Sequence, residues 1–414
     1  MRFVRERIGR QRLEALRTVG ARDGWLIETA DAIRVGFGLS VAQLVLENGL
    51  EGSSDAVASL REHELVGEDG PTGSGVVAFG ALPFDRSAPG QLDVAEFCIT
   101  QTKGGEAWLT SRDGSSDWQE ILEWAAAPDQ ETQSLRSLSM QPTPDEYAHN
   151  VALAVEILRT KEIDKVVLAR SVHGSVPDVI DPAAIAQRLR LREPLCTIYS
   201  VPTSDGRRFV GATPELIARR EGATLSCHPL AGTIALPPNV APDDYQNWLL
   251  GSTKNLHEHS VPVNEIVTAL ATIYDNVSAD ASPSIVTLRT LAHLGTWITA
   301  TSDDDAHAPD AFEVLRLLHP TSAVGGVPRK SAYELIQRLE QHDRGYYAGP
   351  LGWIDAQGDG EWWIGFRGVM LRGNTFEAWA GAGIVSESDP TAEREETKAK
   401  LASFLSSVLV DVVQ

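Results

Sequence analysis

The chain has little cysteine, a deficit of positive charge and no long apolar run, and each shortage excludes a class of protein. Its three cysteines, Cys98, Cys196 and Cys227, are scattered without CxxC spacing, which argues against a disulfide framework and is typical of a reducing cytosol. No segment approaches the roughly 18 uninterrupted apolar residues of a membrane-crossing helix. The N-terminus lacks the apolar core of a signal peptide. We therefore expect a cytoplasmic protein.

Positive charge is scarce, with 36 lysines and arginines against 57 aspartates and glutamates, a formal net charge of −21. Such a field repels phosphate backbones and anionic lipids, so we expect neither nucleic acid nor a membrane as a partner. An enzyme acting on a small anion would need local cations or a metal. The first twenty residues are basic but also contain Glu6 and Glu14, and we interpret them as a solvated helix or a frayed terminus.

The length of 414 residues, with 43% hydrophobic residues, suffices for one large domain or two ordinary ones. Residues 111–117 and 128–141 are polar and predict loops, and 76–79 predict a strand. Strands in runs separated by long helices indicate the α+β class. Helices are predicted at 145–158, 182–191, about 243–274, 310–318, 330–342 and 390–412. Strands are predicted at 165–170, in an antiparallel meander through 196–228, and near 349–355, 361–371 and 376–381.

Lys165 begins an otherwise apolar segment, residues 165–170, that predicts a buried strand. In a strand Lys165 points the same way as Val167 and Ala169. If that face is covered, desolvation favours the neutral amine, which can act as a general base. Lysines are rarely fully buried, so the pattern alone favours an exposed position beside Asp164.

Glu215 follows Thr213-Pro214 between two predicted strands. Proline restricts the turn, so the carboxyl group is held where a loop leaves a sheet, a suitable place for a general acid. The pattern alone favours the alternative of an ordinary surface glutamate.

Two histidines, His257 and His259, flank Glu258 in a predicted helix. Their i, i+2 spacing places them on different faces, so a shared zinc ion is not expected. Pro262 removes the amide that would bond the carbonyl of Glu258 and should kink or widen the helix.

Asp389-Pro390 predicts the start of the C-terminal helix. Its apolar stripe consists of Leu401, Phe404, Leu405, Val408 and Val412. On the helical wheel, the edge of that inward stripe also receives Glu393, Glu396, Thr397 and Lys400. Two carboxylates beside a lysine fit hard oxygen ligands for Mg²⁺ that bridges to an anionic substrate. A solvated, charged first turn fits equally well.

The small residues at 380–383, Ala-Gly-Ala-Gly, lie just before that helix. They would let backbone amides approach a carboxylate closely. They match no Rossmann or P-loop spacing, and a tight turn without a ligand is the more frequent explanation.

Together these segments resemble the chorismate-utilising enzyme family, most closely its isochorismate synthases. The N-terminal third is similar only loosely, around residues 76–85. The matching segments are residues 165–170, 211–216, 229–233, 257–259, 319–328, 347–352, 381–385 and 393–397.

The resemblance implies an α+β fold in which large antiparallel sheets, edged by helices, enclose the site. It also implies one chorismate-binding domain over residues 1–414, with a weakly matched part at 1–140 and a catalytic part at 145–412. The implied activity is an isomerase reaction that converts chorismate to isochorismate with Mg²⁺ as cofactor, for menaquinone or siderophore biosynthesis. We expect a monomer.

The resemblance also assigns the site residues. Lys165 would activate a water that attacks C2, and Glu215, which needs a raised pKa, would protonate the departing C4 hydroxyl. Glu258 and Glu396 would bind Mg²⁺ directly and Glu393 through water. The implied substrate-binding residues are Ala231, Gly232, Thr233, His293, Tyr347, Arg367, Gly381, Gly383 and Lys400.

Relatives that use ammonia differ at these positions. The anthranilate synthases generally lack the lysine at 165, and the aminodeoxychorismate synthases carry a lysine at the position of Ala231. Ala231 therefore favours water as the nucleophile. Salicylate synthases share Lys165 and also eliminate pyruvate, so they remain an alternative, although His319-Pro320-Thr321 resembles the isochorismate synthases more.

The chain departs from the family pattern in three places, one of which is Pro262 in the helix that carries His257 and His259. Ile234-Ala235-Leu236 lacks the arginine that commonly follows the Ala-Gly-Thr segment. Asn255 and Leu256 replace an Asp-Arg pair before His257, which removes a negative charge near the metal. A non-catalytic chorismate-binding protein therefore stays open as a third hypothesis, although such a protein has no need of an acid–base pair.

Overall fold

A computed structural model describes residues 1–51, 55–125, 127–128, 133–236, 242–304 and 307–408. The end of the predicted C-terminal helix, including Val412, and part of the predicted 128–141 loop lie outside these ranges. The helices are α1 Leu13–Arg22, α2 Asp55–Arg61, α3 Trp118–Glu123, α4 Pro144–Leu158, α5 Pro182–Arg192, α6 Pro242–Leu250, α7 Thr253–Leu270, α8 Ala311–Leu318, α9 Arg329–Glu340 and α10 Pro390–Val408.

The strands of the N-terminal half are β1 Arg2–Ile8, β2 Trp25–Glu28, β3 Ala32–Leu46, β4 Glu64–Gly67, β5 Val77–Ala81, β6 Gly90–Thr102, β7 Ala107–Arg112, β8 Ser137–Gln141, β9 Lys165–Ser175, β10 Thr197–Pro202 and β11 Arg208–Thr213. Those of the C-terminal half are β12 Leu216–Glu221, β13 Thr224–His228, β14 Leu230–Ala235, β15 Asn276–Ala279, β16 Ser284–Thr287, β17 Leu291–Gly295, β18 Ile298–Thr301, β19 Gly326–Val327, β20 Pro350–Asp355, β21 Gly360–Ile364, β22 Gly368–Arg372 and β23 Thr375–Ile384.

One large sheet contains 20 of these strands and divides at β6 into two wings. The first wing runs β6–β3–β2–β10–β11–β22–β23–β9. The second runs β6–β5–β20–β21–β12–β13–β18–β15. These pairings are antiparallel, which confirms the predicted fold class. A separate three-stranded sheet is formed by β14, β17 and β16.

The two wings face each other across an apolar layer, and helices cover their outer faces. Alternate residues of β2 and β20, such as Trp25 and Trp353, point into this central layer. The intervening Leu26 points outward, into a cluster with Leu16 of α1 and Leu189 of α5. The result is a helix–sheet–sheet–helix arrangement, because side chains along a strand alternate between its faces.

The chain crosses between the wings at two short connections. Pro214 and Glu215 join β11 of the first wing to β12 of the second, and residues 365–367 join β21 of the second wing to β22 of the first. The crossings are hydrogen-bonded to the strands beside them, from the Ile364 amide to the Glu215 carbonyl (3.1 Å) and from the Ala212 amide to the Arg367 carbonyl (3.2 Å). We call this junction the seam.

The predicted helices are confirmed with sharper ends. Thr143 and Glu146 form a capping box at the start of α4, and the Asp181 side chain accepts from the Ala183 amide at the start of α5 (3.0 Å). The predicted helix at 243–274 is two helices, because Gly251 interrupts it and Ser252 caps the second. α7 continues through Pro262.

Several strand predictions were wrong. Residues 2–8 form β1 and not a helix or frayed end, because Phe3 is buried and β1 pairs with β4 and β7. Residues 137–141 form β8 against β9 and not a loop. The meander predicted through 196–228 is incomplete, because β11 and β12 belong to different wings. The predicted strand at 361–371 is two strands, β21 and β22, separated at the seam. These errors share one cause: the partners of each strand are distant in sequence.

The three cysteines are all buried and unpaired, as expected. Among the described residues, no helix is both long and apolar enough to span a membrane.

Candidate active site

A cavity of about 1170 Å³, measured to its open mouth, lies where the seam, β9, β23, the small sheet and helices α7 and α10 meet. Charged and polar side chains converge in this concave, partly apolar cavity, which is typical of a small-molecule site. The predicted residues that line it are Lys165, Glu215, Ala231, Gly232, Thr233, Glu258, His293, Tyr347, Arg367, Gly381, Gly383, Glu396 and Lys400.

Lys165 is the first residue of β9 and is only 2% exposed, so the alternative of a solvated position is wrong. Its Nζ lies 3.5 Å from Glu258 Oε1. Gly383, on the paired strand β23, makes this approach possible, since a Cβ there would lie 2.8 Å from Glu258 Oε1 and 2.9 Å from Lys165 Cε. A side chain at position 383 would therefore displace the ends of Lys165 and Glu258.

Glu215 lies on the seam and is 4% exposed, so it is not a surface glutamate. Burial raises the pKa of this carboxyl group to about 8, against the opposing effects of the Leu230 amide and the positive charges of Lys165 and Arg367. A carboxylic acid with this pKa holds its proton at neutral pH and can donate it. This direction of shift agrees with the proton-donor role that the resemblance assigns to Glu215.

Arg367 lies on the other seam crossing and has a left-handed backbone conformation, with φ of 49°. Such a conformation is costly for a residue with a side chain and is often found at functional sites. Its Nη2 donates to His293 Nε2. Because a guanidinium can only donate, Nε2 must accept, and the proton of neutral His293 lies on Nδ1, 2.9 Å from Thr233 Oγ1.

The hydrogen bonds that join Thr233, His293 and Arg367 require a neutral His293, and the charges around the ring favour that form. Burial, together with the positive charges of Arg367 and Lys400, lowers the pKa of His293 well below its usual value. With both ring nitrogens engaged, His293 holds the Arg367 guanidinium in place.

Three carboxylates lie on the helical side of the cavity, each near a lysine. Glu258 of α7 faces Lys165, Glu396 of α10 lies 2.7 Å from Lys400, and Glu393 lies 3.9 Å from Lys254. Burial raises the pKa of Glu393 to about 7, and the negative charges of Glu396 and Glu258 add to the effect. The three side chains are therefore close enough to repel one another.

These carboxylates fit a divalent cation, because their oxygens are hard ligands and a cation relieves their repulsion. Among the described residues, no three acidic, cysteine or histidine side chains already meet at metal-ligand distances. His257 is exposed and His259 is buried against Thr296 Oγ1 (2.7 Å). The two histidines thus lie on different faces, as predicted.

Comparison with known proteins identifies the family. The family described as "chorismate binding enzyme" matches residues 28–409. The chain belongs to this chorismate-binding enzyme family.

Individual relatives agree. The chain is 32% identical to isochorismate synthase EntC of Escherichia coli K12 over 330 residues, 80% of each protein. It is 31% identical over 336 residues to the vibriobactin-specific isochorismate synthase of Vibrio cholerae, covering 81% of this chain and 80% of that one. The structure of MenF, the menaquinone-specific isochorismate synthase of E. coli, superposes with a TM-score of 0.82 at 25% identity, covering 98% and 94% of the two chains.

The predicted site residues of this family member thus converge, apart from Glu393, which is buried beside the cavity but does not line it. Sequence reasoning missed Glu193, Arg344, Trp379 and Phe404, which also line the cavity. Arg344 forms a buried ion pair with Glu340. Their i, i+4 spacing was the available signal, but a charged residue just past a helix and before a glycine is typical of an exposed turn.

Of the departures at 255 and 256, only the second has an explanation in the structure. Asn255 lies against Gly232, which has φ of 69° and where a Cβ would be 2.8 Å from the Asn255 carbonyl oxygen. Leu256 packs on an apolar cluster that contains Leu249 and Leu294. The leucine thus contributes to the contact between α7 and the small sheet.

Proposed function

We propose that this family member is an isochorismate synthase, which isomerises chorismate to isochorismate. The observation that carries the proposal is that a lysine and a glutamate, Lys165 and Glu215, are both buried on the wall of one cavity. A binding protein has no need of such a pair, because each buried ionisable group costs stability.

Lys165 takes a proton from the water that attacks C2 of the ring, and Glu215 gives its proton to the C4 hydroxyl as it leaves. One water enters and one leaves while the ring double bonds shift, so the product is an isomer. The pKa of about 8 for Glu215 supports its role as the acid. Ala231 puts no amine at its own position in the wall, which is consistent with water as the nucleophile.

The carboxylates of the substrate meet opposite charge in spite of the net charge of −21. We assign the enolpyruvyl carboxylate to Arg367, Lys400, Tyr347 and the backbone around Gly381 and Gly383. Arg367 is held by His293 and Thr233. Lys400 Nζ donates to the Gly381 carbonyl at 3.0 Å, which places the ammonium at the cavity wall.

We assign the metal to Mg²⁺, with Glu258 and Glu396 as direct ligands and Glu393 acting through water. When bound, Mg²⁺ would supply positive charge to neutralise the ring carboxylate of the substrate. The convergence of three carboxylates on α7 and α10 supports this assignment.

We also propose that residues 1–414 act as one domain and as a monomer in the cytoplasm. Strands from residues 2–112 join the same sheet as those that carry the site, one chain supplies the acid, the base and the carboxylates, and the cysteines are unpaired. The product would supply menaquinone or siderophore biosynthesis, since menaquinone-specific and vibriobactin-specific relatives are similar to the chain to a comparable extent.

The test is to incubate the purified chain with chorismate and Mg²⁺ and to separate the products by chromatography. Isochorismate without pyruvate is the expected result. Salicylate with an equal amount of pyruvate would instead establish a salicylate synthase. Unchanged chorismate, with binding detected by calorimetry, would show a non-catalytic binding protein.

A further inference from the structure

Buried polar contacts connect β9 directly to α10, on the face of the strand away from the cavity. Arg170, which is 2% exposed, donates from Nε to Thr397 Oγ1 (3.0 Å) and from Nη2 to the Arg394 carbonyl (3.1 Å). Thr397 is fully buried, and its hydroxyl donates to the same carbonyl at 2.9 Å. We call Arg170, Thr397 and the Arg394 carbonyl the helix seat.

The helix seat lies in the turn of α10 that carries the carboxylates. Glu393 precedes Thr397 by four residues and shares its side of the helix, and Glu396 is its immediate neighbour. A rotation of α10 by one residue would swing these side chains through about 100°. The orientation of Glu393 and Glu396 toward Glu258 therefore depends on the rotation of the helix, which the helix seat fixes.

Apolar packing alone would fix that rotation less tightly. Leu401 and Leu405 are buried two turns further along, but the first turns of α10 are mostly charged. Arg170 also lies over the ring of Tyr147 in α4, 5.5 Å from its centroid. Its guanidinium is thereby fixed against a second element.

We propose that Arg170 and Thr397 are positioning residues for the divalent-cation site, which they serve by fixing the rotation of α10 relative to β9. The inference rests on the proposed function, because it takes Glu258 and Glu396 as metal ligands. Neither Arg170 nor Thr397 touches the ion or the substrate. Positioning contacts of this kind typically change metal affinity by about 10- to 100-fold.

The experiment titrates Mg²⁺ alone into the full-length chain by calorimetry. Thr397→Val keeps the shape of the side chain and removes only the hydroxyl, so it breaks the helix seat without changing any charge. We expect the Kd for Mg²⁺ to rise about tenfold or more. Thr397→Ser keeps the hydroxyl and should bind Mg²⁺ within about twofold of wild type.

Two further variants separate positioning from stability. Tyr147→Phe removes a buried hydrogen bond to the Leu168 carbonyl (3.0 Å) but leaves the helix seat intact. It should lower the melting temperature and leave the Kd unchanged. If Thr397→Val does not fold, the double variant Arg170→Met/Thr397→Val removes the charge left unpaired and should show the same loss of Mg²⁺ affinity.

The outcomes distinguish this inference from the proposed function. If Glu258→Gln and Glu396→Gln leave Mg²⁺ binding unchanged, the metal site is wrong and the inference fails with it. If those two variants weaken binding while Thr397→Val folds and binds Mg²⁺ like wild type, the inference alone is overturned.

Discussion

Lys165 and Glu215 are almost inaccessible to solvent, whereas Glu258 and Glu396 across the cavity keep 19% and 34% of their side-chain surface exposed. The first pair belongs to the sheets and is fixed by strand pairing and the seam. The second pair belongs to helices and is balanced by lysines. The residues proposed as base and acid thus lie where water is excluded, and the residues proposed as metal ligands lie nearer to solvent.

We call the part of the cavity wall with Lys165 and Glu215 the sheet side, and the part with Glu258 and Glu396 the helical side. Catalytic activity should be far more sensitive to substitution on the sheet side than on the helical side. We expect Lys165→Ala to give the largest effect, a fall in kcat of about 10²- to 10⁴-fold, because the variant removes the base. Chromatographic product assays measure the loss, and circular dichroism should show an intact fold. Near-wild-type turnover would remove Lys165 as the base.

Glu215→Gln should cause a loss of similar order, about 10²- to 10⁴-fold, because the amide keeps the shape but cannot donate a proton in the same way. In the wild-type enzyme, kcat should fall as the pH rises through about 8, where Glu215 loses its proton.

The same raised pKa of Glu215 affects stability. The folded chain holds this proton more tightly than the unfolded chain, so its contribution is complete at low pH and is lost as the pH rises through about 8. Melting temperatures measured from about pH 4.5 to pH 8 should therefore depend less on pH in Glu215→Gln than in wild type. Identical profiles for the two proteins would contradict the raised pKa.

Gly383→Ala perturbs the contact between Lys165 on the sheet side and Glu258 on the helical side, because the new Cβ would lie within 3 Å of both side chains. We expect a misplacement of the order of 1 Å and a fall in kcat of about 10²-fold. Gly9→Ala is a suitable control for a glycine replacement in open space, since nothing lies within 4 Å of where its Cβ would be and its backbone is not left-handed.

Lys254→Ala should have the smallest effect. Its ammonium is 3.9 Å from Glu393 and its side chain is 56% exposed. Such a pair is worth about 0–1 kcal/mol, so the melting temperature should change little. A loss of activity as large as that of Lys165→Ala would show that the helical side is as finely fixed as the sheet side.

Local patterns predicted the helices well because caps and apolar periodicity are encoded within a few residues. Thr143 with Glu146 and Asp181 with Pro182 mark helix starts that the structure confirms. The strands were harder. The pairing of β1 with β7, and the separation of β11 from β12, depend on contacts about a hundred residues or more apart along the chain.

For the site, the resemblance of short motifs to a known family located the residues that the isolated patterns left ambiguous. The pattern alone favoured an exposed Lys165 and a surface Glu215. Neither position carries a local signal of burial, because burial comes from the opposite wing and from α7. Arg344 and Glu193 were missed for the same reason.

The sequence by itself determined the charge balance, the starts of several helices and the set of chemical groups that can act as base, acid and metal ligands. The tertiary structure alone decided that Glu215 and Arg367 lie at the two crossings of the seam and that Gly383 makes room for Lys165 and Glu258. The reason is physical: protonation and reach depend on what surrounds a side chain, and those surroundings come from distant parts of the chain.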